Sequence, residues 1–151
     1  MKKFATPSQV YNLLKGKTNG TKLLSKILPD SCYCTENIQW RELLLHQVEL
    51  PSLEILTNLY AVANRLQALR DTVFQQNPIT INSAFRSEAY NKTIGGEPHS
   101  KHCLGQAIDF TVKNIMPQHV QDILINHSGG LGSYPNRFTH IDIANKRRWR
   151  G

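Results

Sequence analysis

The stretch A-I-D-F-T-V, residues 107–112, decides how this chain is read. Strand side chains alternate between two faces, so Ile108, Phe110 and Val112 share one side, and Asp109 and Thr111 share the other. A second stretch, F-T-H-I-D-I at 138–143, behaves the same way: Ile141 and Ile143 face one side, His140 and Asp142 the other. Each segment reads as a strand with an apolar face on the core and a polar face turned to a cleft.

Working outward, I-T-I-N-S-A-F (79–85) alternates and is rich in β-branched residues, a third strand. R-S-E-A-Y-N-K-T-I-G-G (86–96) follows as a short helix with a double-glycine exit. M-P-Q-H-V-Q-D-I-L-I-N-H (116–127) is a helix opening on proline. G-G-L-G-S-Y (129–134) and 138–143 are the last two strands, joined by a turn at Pro135-Asn136. Upstream, Leu53, Leu56, Tyr60, Ala63, Leu66 and Val73 recur near helical spacing, with Ser52 as cap and Asn77-Pro78 as stop. This predicts one long helix. Residues 6–16 and 23–29 predict two short helices. The expected fold is therefore α+β, a mainly antiparallel sheet with helices packed on it, in a single domain. The expected division is an N-terminal helical segment at 1–50, of unassigned role, and a domain at 51–151.

The chain has 151 residues, 40% hydrophobic and 19% charged, a balance that argues against disorder. Its net charge of +7, with Lys146, Arg147, Arg148 and Arg150 crowded together, suits polyanions such as an anionic wall polymer. Nucleic acid ranks last, because charge alone supports it. Cys32, Cys34 and Cys103 are odd in number and imply no disulfide framework. They read as reduced thiols, Cys103 as a small buried hydrophobe. No apolar run is long enough to span a membrane, and the opening M-K-K-F-A-T lacks the apolar core of a signal peptide. A monomer made in the cytoplasm is expected.

If the strands at 107–112 and 138–143 are neighbours, Asp109 and His140 lie within reach of each other, and Gly105 lets the loop carrying His102 fold back to join them. Two imidazoles and a carboxylate make a three-ligand metal site with a fourth position open.

The segment S-K-H-C-L-G-Q-A-I-D (100–109) fits the pattern S-x-H-x-x-G-x-A-x-D. S-A-F-R-S (83–87) supplies a Ser-aromatic-Arg segment, with Arg86 sixteen residues before His102. T-H-I-D (139–142), with R-R-W (147–149) downstream, supplies a His-x-Asp strand and tail. In these three segments, in this order, residues 50–150 resemble the M15 peptidases, the zinc D-Ala-D-Ala carboxypeptidases and murein endopeptidases. Residues 1–50 carry no matching motif. The resemblance implies a hedgehog/DD-peptidase-like domain that holds one zinc on His102, Asp109 and His140 and hydrolyses peptidoglycan stem peptides. It implies that Arg86 faces a substrate carboxylate or carbonyl oxygen, and that Ser100 bonds a ligand or caps its loop. It leaves Asp142 as either the general base or a carboxylate that orients a ligand. Branches of the family carry an acid a few positions before the last zinc histidine. Here those positions read S-Y-P-N-R-F-T, with no carboxylate, so the base role falls to Asp142 ahead of Glu97 and His99. Action on the cell wall after holin- or virion-mediated release, as in a phage endolysin, fits this reading. The alternative is a non-catalytic zinc-containing wall-binding or virion module.

Overall fold

A computed structural model describes residues 1–151. Its centre is a five-stranded sheet in the order β3-β4-β6-β5-β7, made of β3 (Ile79–Ser83), β4 (Ala107–Val112), β5 (Gly130–Tyr134), β6 (Phe138–Asp142) and β7 (Arg147–Arg150). All pairings are antiparallel except β5 with β7. The α+β architecture expected from the strand and helix patterns is the one observed.

The long helix α4 spans Leu53–Thr72, and Ser52 caps it by accepting from the Ile55 amide. Its buried stripe is Leu56, Leu59, Val62, Ala63 and Leu66, at the spacing of one helical face. That stripe lies on the apolar face of the sheet, where Ile108, Phe110 and Ile141 are wholly buried. Each such side chain contributes about 1.5–3 kcal/mol by leaving water. Short helices α5 (Glu88–Thr93, capped by Ser87) and α6 (Pro117–Ile123) fill the strand connections.

The first fifty residues contain α1 (Pro7–Lys15), where Thr6 and Gln9 form a capping box, and α2 (Leu24–Ile27). They also contain elements that the sequence did not predict: a two-residue parallel pair, β1 (Lys3–Phe4) with β2 (Cys32–Tyr33), and α3 (Trp40–Leu43). Val10, Leu14, Trp40 and Leu44 lie in the same apolar cluster as Leu56 and Ile108. From this segment, Leu43 accepts a hydrogen bond from the Phe85 amide and Gln47 Oε1 accepts one from the Ser87 amide at 2.8 Å. Arg86 is thus bracketed by two backbone anchors.

The chain does not end on two strands, as expected, but on three. The extra strand β7 carries R-R-W-R, which lacks an apolar face, and its partner β5 is not its neighbour in sequence. Cys32 and Cys34 are buried, whereas Cys103 is only partly so and lies at the surface beside Leu104. The 3-10 turn that carries it directs its side chain outward while burying His102. No helix is long and apolar enough to cross a membrane.

Candidate metal centre

Two of the three predicted ligands face each other across one rung of the ladder, since Asp109 of β4 pairs with His140 of β6. The third, His102, sits in a 3-10 turn, Lys101–Leu104, whose exit is Gly105 at φ 71°. A β-carbon at Gly105 would lie 2.6 Å from the Ile55 carbonyl oxygen, so glycine is required both for its backbone angle and for its contact with α4. This turn folds His102 back over β4. The three side chains are buried, and one ligand atom from each falls within 4.8 Å of the others.

The hydrogen bonds fix which atoms converge. His102 Nδ1 lies 2.6 Å from the Ala84 carbonyl oxygen, which can only accept, so Nδ1 carries the proton. The lone pair of His102 Nε2 then faces Asp109 Oδ1 at 3.1 Å. His140 donates from Nε2 to Asp142 Oδ2 at 2.9 Å, leaving the Nδ1 lone pair facing the same Asp109 Oδ1 at 2.9 Å. Three acceptors therefore point at one place with no donor among them. A cation must sit between them: a metal ion, or a proton in its stead. Two imidazole nitrogens and a carboxylate oxygen suit zinc, and carbonyl or carboxylate support behind each imidazole is the usual arrangement in zinc proteins. The residues present fit that ion.

Ionisation follows the same geometry. Burial disfavours the Asp109 carboxylate, but with a proton in place of the metal the His102 and His140 imidazoles hydrogen-bond to it, outweigh that cost and hold the group well below the usual carboxylate range. Burial likewise disfavours charge on His140, yet hydrogen bonds to Asp109 and Asp142 raise its pKa. Asp142 is fully buried. It accepts from His140 Nε2, from Arg147 Nη2 at 2.6 Å, and from the amides of Gly130 and Ala144 at 3.0 Å each. Those bonds overcome the cost of burial and keep it ionised.

Arg86 donates from Nη2 to Asp109 Oδ2 at 3.0 Å and from Nε to Ser83 Oγ at 2.9 Å. Ser100 Oγ caps the 3-10 turn, accepting from the His102 amide at 3.3 Å. The centre opens into a cleft of about 440 Å³ whose walls include Glu97, His99, Ser100, Lys101, Arg137 and Trp149. Every site residue expected from the sequence lines this cleft: Arg86, Ser100, His102, Asp109, His140 and Asp142.

The sequence reading did not find the Ala84 carbonyl, which leaves no signature because any residue supplies one. It placed Arg147 and Trp149 in a tail segment and gave neither a role at the site. Their alternation within R-R-W-R is a strand-like signal, but nothing local says which strand they join.

With this geometry in hand, the comparisons with known proteins agree with one another. A family model described as Peptidase M15 matches residues 36–142. The peptidoglycan L,D-endopeptidase MepK of Escherichia coli K12 is 33% identical over 92 residues, covering 56% of this chain and 49% of that protein. MepK of Escherichia coli O157:H7 and of Shigella flexneri gives the same figures. The chain thus spans about half the length of the curated relatives it matches.

Proposed function

This chain belongs to the M15 peptidase family, and from that premise we propose that it is a zinc-dependent peptidase that hydrolyses peptide bonds in peptidoglycan stem peptides. The observation that carries this reading is the meeting of His102 Nε2, Asp109 Oδ1 and His140 Nδ1 with no donor among them. A zinc ion held there would supply Lewis acidity, enough to polarise a carbonyl and to lower the pKa of water to about 7.

The chain's own groups do the rest. The Ala84 carbonyl and Asp142 fix the tautomers of the two imidazoles, so that each presents a lone pair. Arg86 holds the second oxygen of Asp109, and its remaining N–H groups, with only a 3.5 Å contact to Asn91 Oδ1, serve a substrate carbonyl or carboxylate oxygen. Asp142 was expected as the base, but its complete burial and four hydrogen bonds favour orientation of His140 over proton transfer. The proton acceptor is then drawn from the cleft loop, where Glu97 and His99 are exposed. Ser100 orders the turn that carries His102. Lys101 and Arg137 line the cleft and favour anionic substrates.

The name borne by the relatives supports peptidoglycan as the substrate and an internal peptide bond as the target. Carboxypeptidase activity on a terminal D-alanine is the other outcome to test. Purified protein should carry about one zinc per chain. Its digestion of defined muropeptides, followed by mass spectrometry, should stop with a chelator, return with zinc and be absent in His102→Ala. The fragment masses identify the bond cut. Zinc binding without cleavage of any muropeptide would refute the peptidase reading and leave the non-catalytic wall-binding module. That alternative draws on the lack of a carboxylate between Ser133 and Thr139.

A further inference from the structure

The C-terminal strand β7 lies at the edge of the sheet, yet two of its side chains reach the metal centre. Gly130 and Gly132 of β5 pair with Arg147 and Trp149. These glycines leave a bare lane on the face of β5. A β-carbon at Gly130 would lie 2.3 Å from Asp142 Oδ2 and 2.6 Å from Arg147 Nη2, and one at Gly132 would lie 2.4 Å from the Trp149 ring. Across that lane Arg147 and Trp149 extend past β5 to β6.

There they meet the support of one ligand. Arg147 Nη2 donates to Asp142 Oδ2, the oxygen that accepts from His140 Nε2. Asp142 Oδ1 is held by the Gly130 and Ala144 amides, so the carboxylate is pinned at both ends and cannot rotate. The Trp149 ring packs against the His140 imidazole, with centroids 5.0 Å apart and planes at 56°. The indole is itself tied by its N–H to the Tyr134 hydroxyl at 3.1 Å, and the Arg147 guanidinium lies over it at 5.4 Å. The other two arginines of the strand go elsewhere: Arg148 to the carbonyls of Ile125, His127 and Gly129, and Arg150 to Gln121.

We propose that Arg147 and Trp149 are positioning residues of the metal centre, through which the C-terminal strand locks the imidazole of His140 in the orientation that aims Nδ1 at the ion. The inference rests on the reading that His102, Asp109 and His140 hold zinc. Arg147 acts through Asp142, and Trp149 acts on the ring face.

The test measures zinc affinity by competition with a chromophoric chelator, for full-length wild type and the variants Arg147→Ala, Trp149→Ala, Arg150→Ala and His140→Ala. Loss of an outer partner of a zinc ligand weakens binding by about 10–100-fold, and that is the fall expected for Arg147→Ala and Trp149→Ala. Arg147→Lys should recover part of it, and Arg150→Ala should bind as wild type. Cobalt-loaded Arg147→Ala and Trp149→Ala should also show altered visible absorption bands, because those bands report ligand geometry. Where an alanine variant fails to fold by circular dichroism, Arg147→Gln and Trp149→Phe take its place. Wild-type affinity and spectra in folded Arg147 and Trp149 variants, with zinc lost in His140→Ala, would overturn the inference and leave the zinc reading standing. Wild-type affinity in His140→Ala would overturn both.

Discussion

Replacing Asp142 by asparagine separates the two roles that this residue can play. The side chain keeps its shape but exchanges one acceptor oxygen for a donor NH2. With the amide oxygen toward Gly130 and Ala144, those two hydrogen bonds of 3.0 Å survive. The NH2 then faces two donors, His140 Nε2 and Arg147 Nη2, at the present 2.9 and 2.6 Å. Flipping the amide only moves the clash to the backbone N–H groups. Arg147 is half exposed and can turn to water, but His140 cannot. Its one recourse is to shift its proton to Nδ1, the atom facing Asp109 at 2.9 Å. That proton occupies the lone pair the ion needs. The expected loss is about 10–100-fold in zinc affinity, equal to about 1.4–2.8 kcal/mol. Chelator competition measures it, with circular dichroism confirming the fold. Wild-type zinc affinity in Asp142→Asn would refute the tautomer argument, and a turnover loss beside that unchanged affinity would make Asp142 the base instead.

Further outcomes follow from the same geometry. Glu97→Gln and His99→Gln should each bind zinc as wild type, and the one that removes the proton acceptor should lower kcat by about 100-fold or more; muropeptide kinetics beside zinc titration checks this. Gly105→Ala should destabilise the protein by about 2–4 kcal/mol, from its left-handed backbone and the clash with Ile55, and thermal melts would read this as a lower Tm. Gln47→Ala strips the buried Ser87 amide of its acceptor, at a cost of about 1–3 kcal/mol, and should loosen the segment bearing Arg86, read as a raised KM. For pH, His140 titrates above its ordinary value in metal-free protein, so its stabilisation is present below about pH 6.5 and is lost as pH rises through the raised value. Asp109 and Asp142, held low, contribute above about pH 4 and lose that contribution as pH falls. Zinc competes with the proton on His140, so its stabilising effect grows with pH, and melts with and without zinc should diverge from pH 6 to pH 9.

Local alternation was enough to orient β4 and β6, because each strand buries one apolar face and the period of two leaves no choice about which side Asp109 and His140 take. Their pairing could only be supposed, since register is decided by partners far along the chain. The Gly105 requirement was visible as a glycine between two ligands, but the Ile55 carbonyl that enforces it lies on another element. The four-residue turn bearing His102 and the two-residue strands β1 and β2 are too short to have a period. β7 escaped notice for a different reason: its side chains are chosen for Asp142, His140 and Gln121, so they show no core-facing pattern. The place of Arg86 at the cleft was legible in its segment before His102, while its bond to Asp109 was not.

The rung that joins Asp109 to His140 belongs to the middle of the sheet, with β3 on one flank and β5 on the other. Prising these two side chains apart means breaking the inner ladder, an event on the timescale of unfolding rather than of loop motion. An ion held there would leave chiefly by way of His102, which a short turn carries and the ladder does not. The slowest amide exchange and the residence time of an ion bound there should then answer to different parts of the molecule, the first to β4 and β6, the second to the turn Lys101–Leu104.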